Sequence, residues 1–192
     1  ARTNNTGSAD AHLLYDTERW STNQNTRLQL RQYGGEPEMS GYTNDFDGFN
    51  NDGFSVKFGM NGTNDDYVSW SFRKQPGFFD VVTYTGDGTS GRAISHGLGS
   101  TPGMVIVKCT NASTDWPVWH RSLPNVASDY FLRLNTPDAE GNPYQAFFGT
   151  PDASNFYVGA NEAANGSGNN YVAYVFAHDD QSFGTNGDES II

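Results

Sequence analysis

Apolar residues in this chain come in short runs, each closed by a cluster of Gly, Asn, Asp or Pro. Residues 80–85 form one such run, and Gly86, Asp87 and Gly88 close it with a strong hairpin-turn signal. Residues 92–95 follow, then a loop over 96–103, then a nearly continuous apolar run over 104–109. Further strands are predicted at 117–121, 130–135, 155–160 and 171–177, the last preceded by a long polar turn over 164–170. Val, Tyr, Phe and Trp dominate these runs, and none has the length or the 3.6-residue period of a helix. The pattern predicts an all-β protein, an antiparallel sandwich.

The runs repeat. At a shift of 104 positions Leu14 and Tyr15 fall on Val118 and Trp119, Leu28 and Leu30 on Leu132 and Leu134, and residues 67–72 on 171–176. With a slip of two residues, Phe54 and Val56 fall on Phe156 and Val158. Several matches on one diagonal predict two tandem β-sandwich modules, lectin-like or jelly-roll-like, each of roughly a hundred residues. The expected boundaries are 1–77 for a first module, 78–183 for a second, complete one, and 184–192 for a linker toward a following module. The first module has no counterpart for the strands that open the second, so residue 1 is expected to fall mid-module, as a cut or the start of the ordered part of a longer protein; completion of the module by another strand or chain is the alternative. In residues 67–72, Val68, Trp70 and Phe72 share one face while Tyr67, Ser69 and Ser71 share the other, which predicts a half-buried strand. Its counterpart at 171–176 is apolar on both faces and is expected at the centre of a sheet.

Composition narrows the function. The net charge of −11, from 11 basic and 22 acidic residues, is a poor surface for a nucleic-acid backbone, so no nucleic-acid partner is expected. No run of about 18 apolar residues exists, so no helical membrane insertion is expected. One cysteine, Cys109, excludes an intrachain disulfide framework and a Cys-based zinc site.

Catalytic constellations are sparse. His12, His96, His120 and His178 show no metal-ligand spacing, and no Gly-x-Ser-x-Gly elbow occurs. The carboxylate pairs Asp16 with Glu18, Asp45 with Asp47, Asp65 with Asp66 and Asp179 with Asp180 could serve a glycosidase, but most sit among Asn and Gly, where Asp makes turns. No enzyme activity is therefore expected. Residues 44–54 are rich in oxygen ligands, but position twelve from Asp45 is Val56, so no EF-hand loop fits. A turn-rich connection is the preferred reading; an irregular surface calcium site stays open beside it, and no cofactor is expected. Trp116, Trp119, Tyr130 and Tyr144 are the candidate ligand-binding residues, because flat aromatic faces among Asn and Asp suit sugar rings. Trp116, at the entrance of a strand beside Pro117, is expected at the surface; a core role competes for Trp119.

The wording of the second module, at 78–89, 94–99, 102–108 and 169–179, resembles a module recurring in virion proteins of marine tailed bacteriophages, with 67–79 carrying the likeness in the first. The resemblance implies β-rich structural modules of a virion protein and leaves open whether it sits on tail, fibre or capsid. With the tandem repeat and the acidic, Gly- and Asn-rich strands, the leading expectation is a tail-fibre or appendage protein of the virion surface that assembles with other virion proteins as a homo-oligomer and contacts a host-surface glycan or protein receptor. It carries no catalytic residues over. A purely architectural capsid-decoration or fibre-spacer role is the alternative, and a glycan-cleaving tailspike a third. The sandwich is also similar, at the level of fold, to H-type lectin-like domains, which implies a trimer.

Overall fold

A computed structural model describes residues 12–20, 27–30, 44–63, 65–123, 130–141 and 147–178. Within them lie twelve strands, two one-turn α-helices and one turn of 3-10 helix. The fold is all-β, and every strand pairing is antiparallel.

The central sheet has five strands. β5 (Phe79–Thr85), β12 (Asn170–Ala177), β7 (Pro102–Cys109), β8 (Pro117–His120) and β9 (Leu132–Arg133) lie side by side in that order. β12 is central because its sequence is apolar at nearly every position, which suits a strand covered on both faces. Tyr171, Ala173 and Val175 face one way, opposite Cys109, Val107 and Val105 of β7. Val172, Tyr174 and Phe176 face the other.

Each face has its own cover. Over the first lies a three-stranded sheet of β6 (Arg92–Ser95), β11 (Asn155–Val158) and β10 (Phe148–Gly149), with α2 (Glu162–Asn165) beside it. Ile94, Phe148, Phe156 and Val158 meet Val105, Val107, Ala173 and Val175 there in the main core. The stacked rings of Tyr84 and Tyr171, 5.1 Å apart, close one end. Gly86 makes that closure feasible: a Cβ on it would stand 2.2 Å from the Gly166 carbonyl oxygen and 2.8 Å from the Tyr171 ring.

Over the second face lies the hairpin of β1 (His12–Leu14) and β2 (Leu28–Leu30), with α1 (Thr17–Trp20). Leu28 is fully buried against Phe79, Val81, Trp116, Val172 and Tyr174. The core therefore runs across the expected boundary at 77/78. A last hairpin, β3 (Phe46–Asn50) with β4 (Gly53–Val56), carries Phe46, which stacks on Tyr15 at 4.4 Å and meets Trp20 edge-on at 5.0 Å.

The sequence repeat reappears as repeated strand pairing. Leu13 opposite Gln29 and Leu14 opposite Leu28 in β1–β2 become Pro117 opposite Arg133 and Val118 opposite Leu132 in β8–β9, each 104 positions on. Phe46 opposite Val56 becomes Phe148 opposite Val158, 102 positions on, which is the slip seen in the sequence. Even the backbone bond that ends the second hairpin recurs, Lys57 N–H to Asp45 C=O becoming Gly159 N–H to Phe147 C=O.

One predicted strand is absent. Residues 67–72 join no strand pairing, whereas their counterparts at 171–176 have β5 on one side and β7 on the other. A strand needs an edge to bond to, and among the described residues of the first half no β5-like or β7-like strand supplies one. The half-buried strand expected there is corrected to an exposed segment. The expected linker 184–192 lies outside the described residues.

Candidate interaction surface

The four aromatic residues singled out in the sequence do not meet at one surface. Trp116 is fully buried in the core under the β1–β2 hairpin, and Trp119 is buried in the main core on the opposite face of the sheet. Period-two alternation puts 116 and 119 on opposite faces. The expectation of Trp116 at the surface is thus corrected: a ring with no exposed face offers nothing to a sugar. It was missed because a hairpin more than 80 positions upstream, with Leu28 at its centre, covers it. Tyr130 is half-buried beside the isolated bridge between Phe131 and Gly141, and Tyr144 lies outside the described residues.

Several carboxylates are engaged in structural bonds. Asp152 is held at a pKa of about 2, first by the Tyr157 hydroxyl at 2.6 Å and then by the backbone N–H groups of Ser154 and Asn155. Asp87 is held at about 2 by the backbone N–H and hydroxyl of Thr89. The fully buried Asn165 ties this turn to α2 by donating to Asp87 at 3.0 Å and to the Thr89 carbonyl at 2.8 Å. Asp80 accepts from the Gly97 N–H at 2.5 Å and pairs with Lys74 at 2.9 Å. Lys74 in turn reaches Glu18 at 3.1 Å, and its pKa is raised by these two carboxylates against the opposing effect of burial.

The most buried of these networks joins the two halves. Asp16 accepts from Arg19 Nε at 2.6 Å and from the Tyr174 hydroxyl at 2.7 Å. Burial pushes the Tyr174 phenol well above its ordinary pKa, because the phenolate would have to shed its water inside the core. Asp45, from the stretch considered for calcium, pairs with Arg27. Among the described residues no group of three or more His, Cys, Asp or Glu stands ready to hold a metal ion. Among the same residues no helix is long and apolar enough to cross a membrane.

One apolar row is left exposed to water. Val68, Trp70 and Phe72, at alternate positions of one unpaired segment, are 46%, 70% and 53% exposed. At its far end Phe72 touches Phe79 and Phe176, with centroids 5.6 and 5.7 Å away, so the segment runs off the covered face of the sheet. At its near end the Tyr67 hydroxyl accepts from the Gly62 N–H at 2.9 Å and fixes where it starts. Contiguous exposed apolar patches of this kind mark contact surfaces. The alternation was visible in the sequence; its exposure was not.

These features define an antiparallel all-β protein with repeated hairpins and an uncovered aromatic row. The chain belongs to the family described as Domain of unknown function (DUF7483), whose model matches residues 3–187 and so spans both halves. No curated protein and no solved structure matches it.

Proposed function

We propose that this protein is a non-enzymatic structural component of a bacteriophage virion, a tail-fibre or appendage module that helps the particle contact its host surface. The observation that carries the reading is the recurrence of two hairpins, β1–β2 as β8–β9 in the same register and β3–β4 as β10–β11 sharing the pair 46/56 with 148/158. Repetition of a building unit within one chain suits a protein whose task is to extend and assemble. The exposed row at 68, 70 and 72 supports a role in contact. The phage setting itself is supported by the likeness of residues 78–89 and 169–179 to virion modules.

One observation favours a second reading, a purely architectural role as fibre spacer or capsid decoration. Two of the four aromatic residues suited to glycan stacking, Trp116 and Trp119, are buried. The two readings part in a binding experiment. The labelled protein should decorate susceptible host cells if it contacts a receptor, and decoration of no strain leaves the architectural role. Antibody labelling of virions by electron microscopy tests both, since absence from the particle overturns them together. Release of reducing ends from host polysaccharide would instead establish the third reading, a glycan-cleaving tailspike.

A further inference from the structure

One interface inside the chain provides the pattern for a second between chains. Hairpin β1–β2 covers the face of the central sheet formed by Val172, Tyr174 and Phe176; Leu28 is 0% exposed there, and Leu14 and Leu30 are partly buried. The repeat gives both partners a counterpart. Moving 104 positions forward, Leu28 and Leu30 become Leu132 and Leu134 at β9, and the hairpin pairing is kept in register. Moving 104 positions back, Val172, Tyr174 and Phe176 become Val68, Trp70 and Phe72.

Both counterparts are bare. Leu132 and Leu134 are 37% and 49% exposed, against none for Leu28, and Trp70 and Phe72 are more exposed still. Among the described residues these five account for most of the large apolar side chains left exposed, the others being Phe49 and Phe58. The chain thus carries, at two separate places, a second covering hairpin and a second row for such a hairpin to cover.

We propose that the two surfaces cover each other between copies of this chain. The β8–β9 hairpin of one copy sets Leu132 and Leu134 on Val68, Trp70 and Phe72 of the next, as β1–β2 sets its leucines on β12. The contact is head to tail, because each copy gives one surface and receives on the other. Such a contact does not end at a dimer; it closes into a ring or runs on as a filament. The polar part of the internal interface is not repeated: His120 stands at the position of Asp16 and Trp70 at that of Tyr174, so the contact between copies is the more apolar one. Because each copy carries a net charge of −11, salt should strengthen the association by screening repulsion. The inference does not depend on the virion reading.

Sedimentation velocity on the whole chain tests it, with Trp70→Asp damaging one surface and the double change Leu132→Asp/Leu134→Asp damaging the other. The wild type should form oligomers beyond the dimer as concentration rises toward about 1 mM, more readily at high salt. Each variant alone should associate at least about tenfold more weakly. Mixed together, they should form a one-to-one dimer and stop there, since one intact surface of each kind remains. Hydrogen-exchange protection of β12 confirms the fold of each variant; one that loses it is replaced by the corresponding change to Ser. A wild type that stays monomeric, a variant that associates like the wild type, or a mixture that stays monomeric overturns the proposal.

Discussion

Tyr174 and Asp16 lie 158 positions apart in the chain, yet the Tyr174 hydroxyl donates a 2.7 Å hydrogen bond to Asp16 Oδ2. Arg19 donates to the same oxygen, and all three side chains are buried. This small network fastens the first-half hairpin to the central strand. Removing the phenol alone, in Tyr174→Phe, leaves Asp16 paired with Arg19 and should cost about 1.5–3 kcal/mol, the range for a hydrogen bond to a charged group. Asp16→Ala takes the carboxylate away from a buried guanidinium and should cost about 3–5 kcal/mol. Urea denaturation of the two variants should show that order, and equal losses would mean that the ion pair adds nothing to the phenol bond.

The repeat predicts unequal costs at equivalent positions. Phe156 is fully buried in the main core, while its counterpart Phe54 is only half-buried. Phe156→Ala should cost about 3–5 kcal/mol. Phe54→Ala should cost clearly less, since much of its surface already meets water. Denaturation midpoints compare the two directly; a Phe54→Ala loss as large as that of Phe156→Ala contradicts the uncovered state of the first half.

Glycine substitutions should divide sharply by position. Gly86→Ala drives a methyl group into the Gly166 carbonyl and the Tyr171 ring, and should cost at least about 1–3 kcal/mol. At Gly91 a Cβ meets open space, but φ is +75°, so Gly91→Ala carries only a backbone cost of about 1–2 kcal/mol. Thermal melting of the pair, with near-ultraviolet circular dichroism reporting the Tyr84–Tyr171 stack, should show the stack disturbed only in Gly86→Ala.

Acid should loosen two turns together. The folded-state pKa values of Asp87 and Asp152 lie at about 2, below the ordinary 3.8. A lowered pKa means that the unfolded chain takes up protons first, so the stabilisation is complete above about pH 4 and is lost as the pH falls toward about 2. The double change Asp87→Asn/Asp152→Asn should flatten the pH dependence of the unfolding midpoint in that window. An unchanged slope would show that other carboxylates set it.

Much of the fold could be read from the sequence because turn chemistry and alternation are local. Gly86, Asp87 and Gly88 marked the end of β5, and the apolar face pair of residues 171–176 marked a central strand. The repeat was legible as well, down to the two-residue slip before the second hairpin. What could not be read was which surfaces meet. Trp116 beside Pro117 has the local pattern of a strand entrance, and only the distant Leu28 decides that it is buried. Residues 67–72 carry the pattern of a strand, but pairing is a property of neighbours, and alternation in one segment does not say whether an edge is present to receive it.

The place of β12 also bears on how the chain is made. β12 sits between β5 and β7, yet it follows both in synthesis; Asn170, at its start, comes 60 residues after Thr110, the residue that follows β7. At about 5–20 residues per second, those two strands wait roughly 3–12 s on the ribosome with facing edges unfilled. Unfilled edges of that kind invite wrong partners. Nascent chains halted before Tyr171 emerges should therefore be cut readily by protease, and the ones that include Ala177 should resist it.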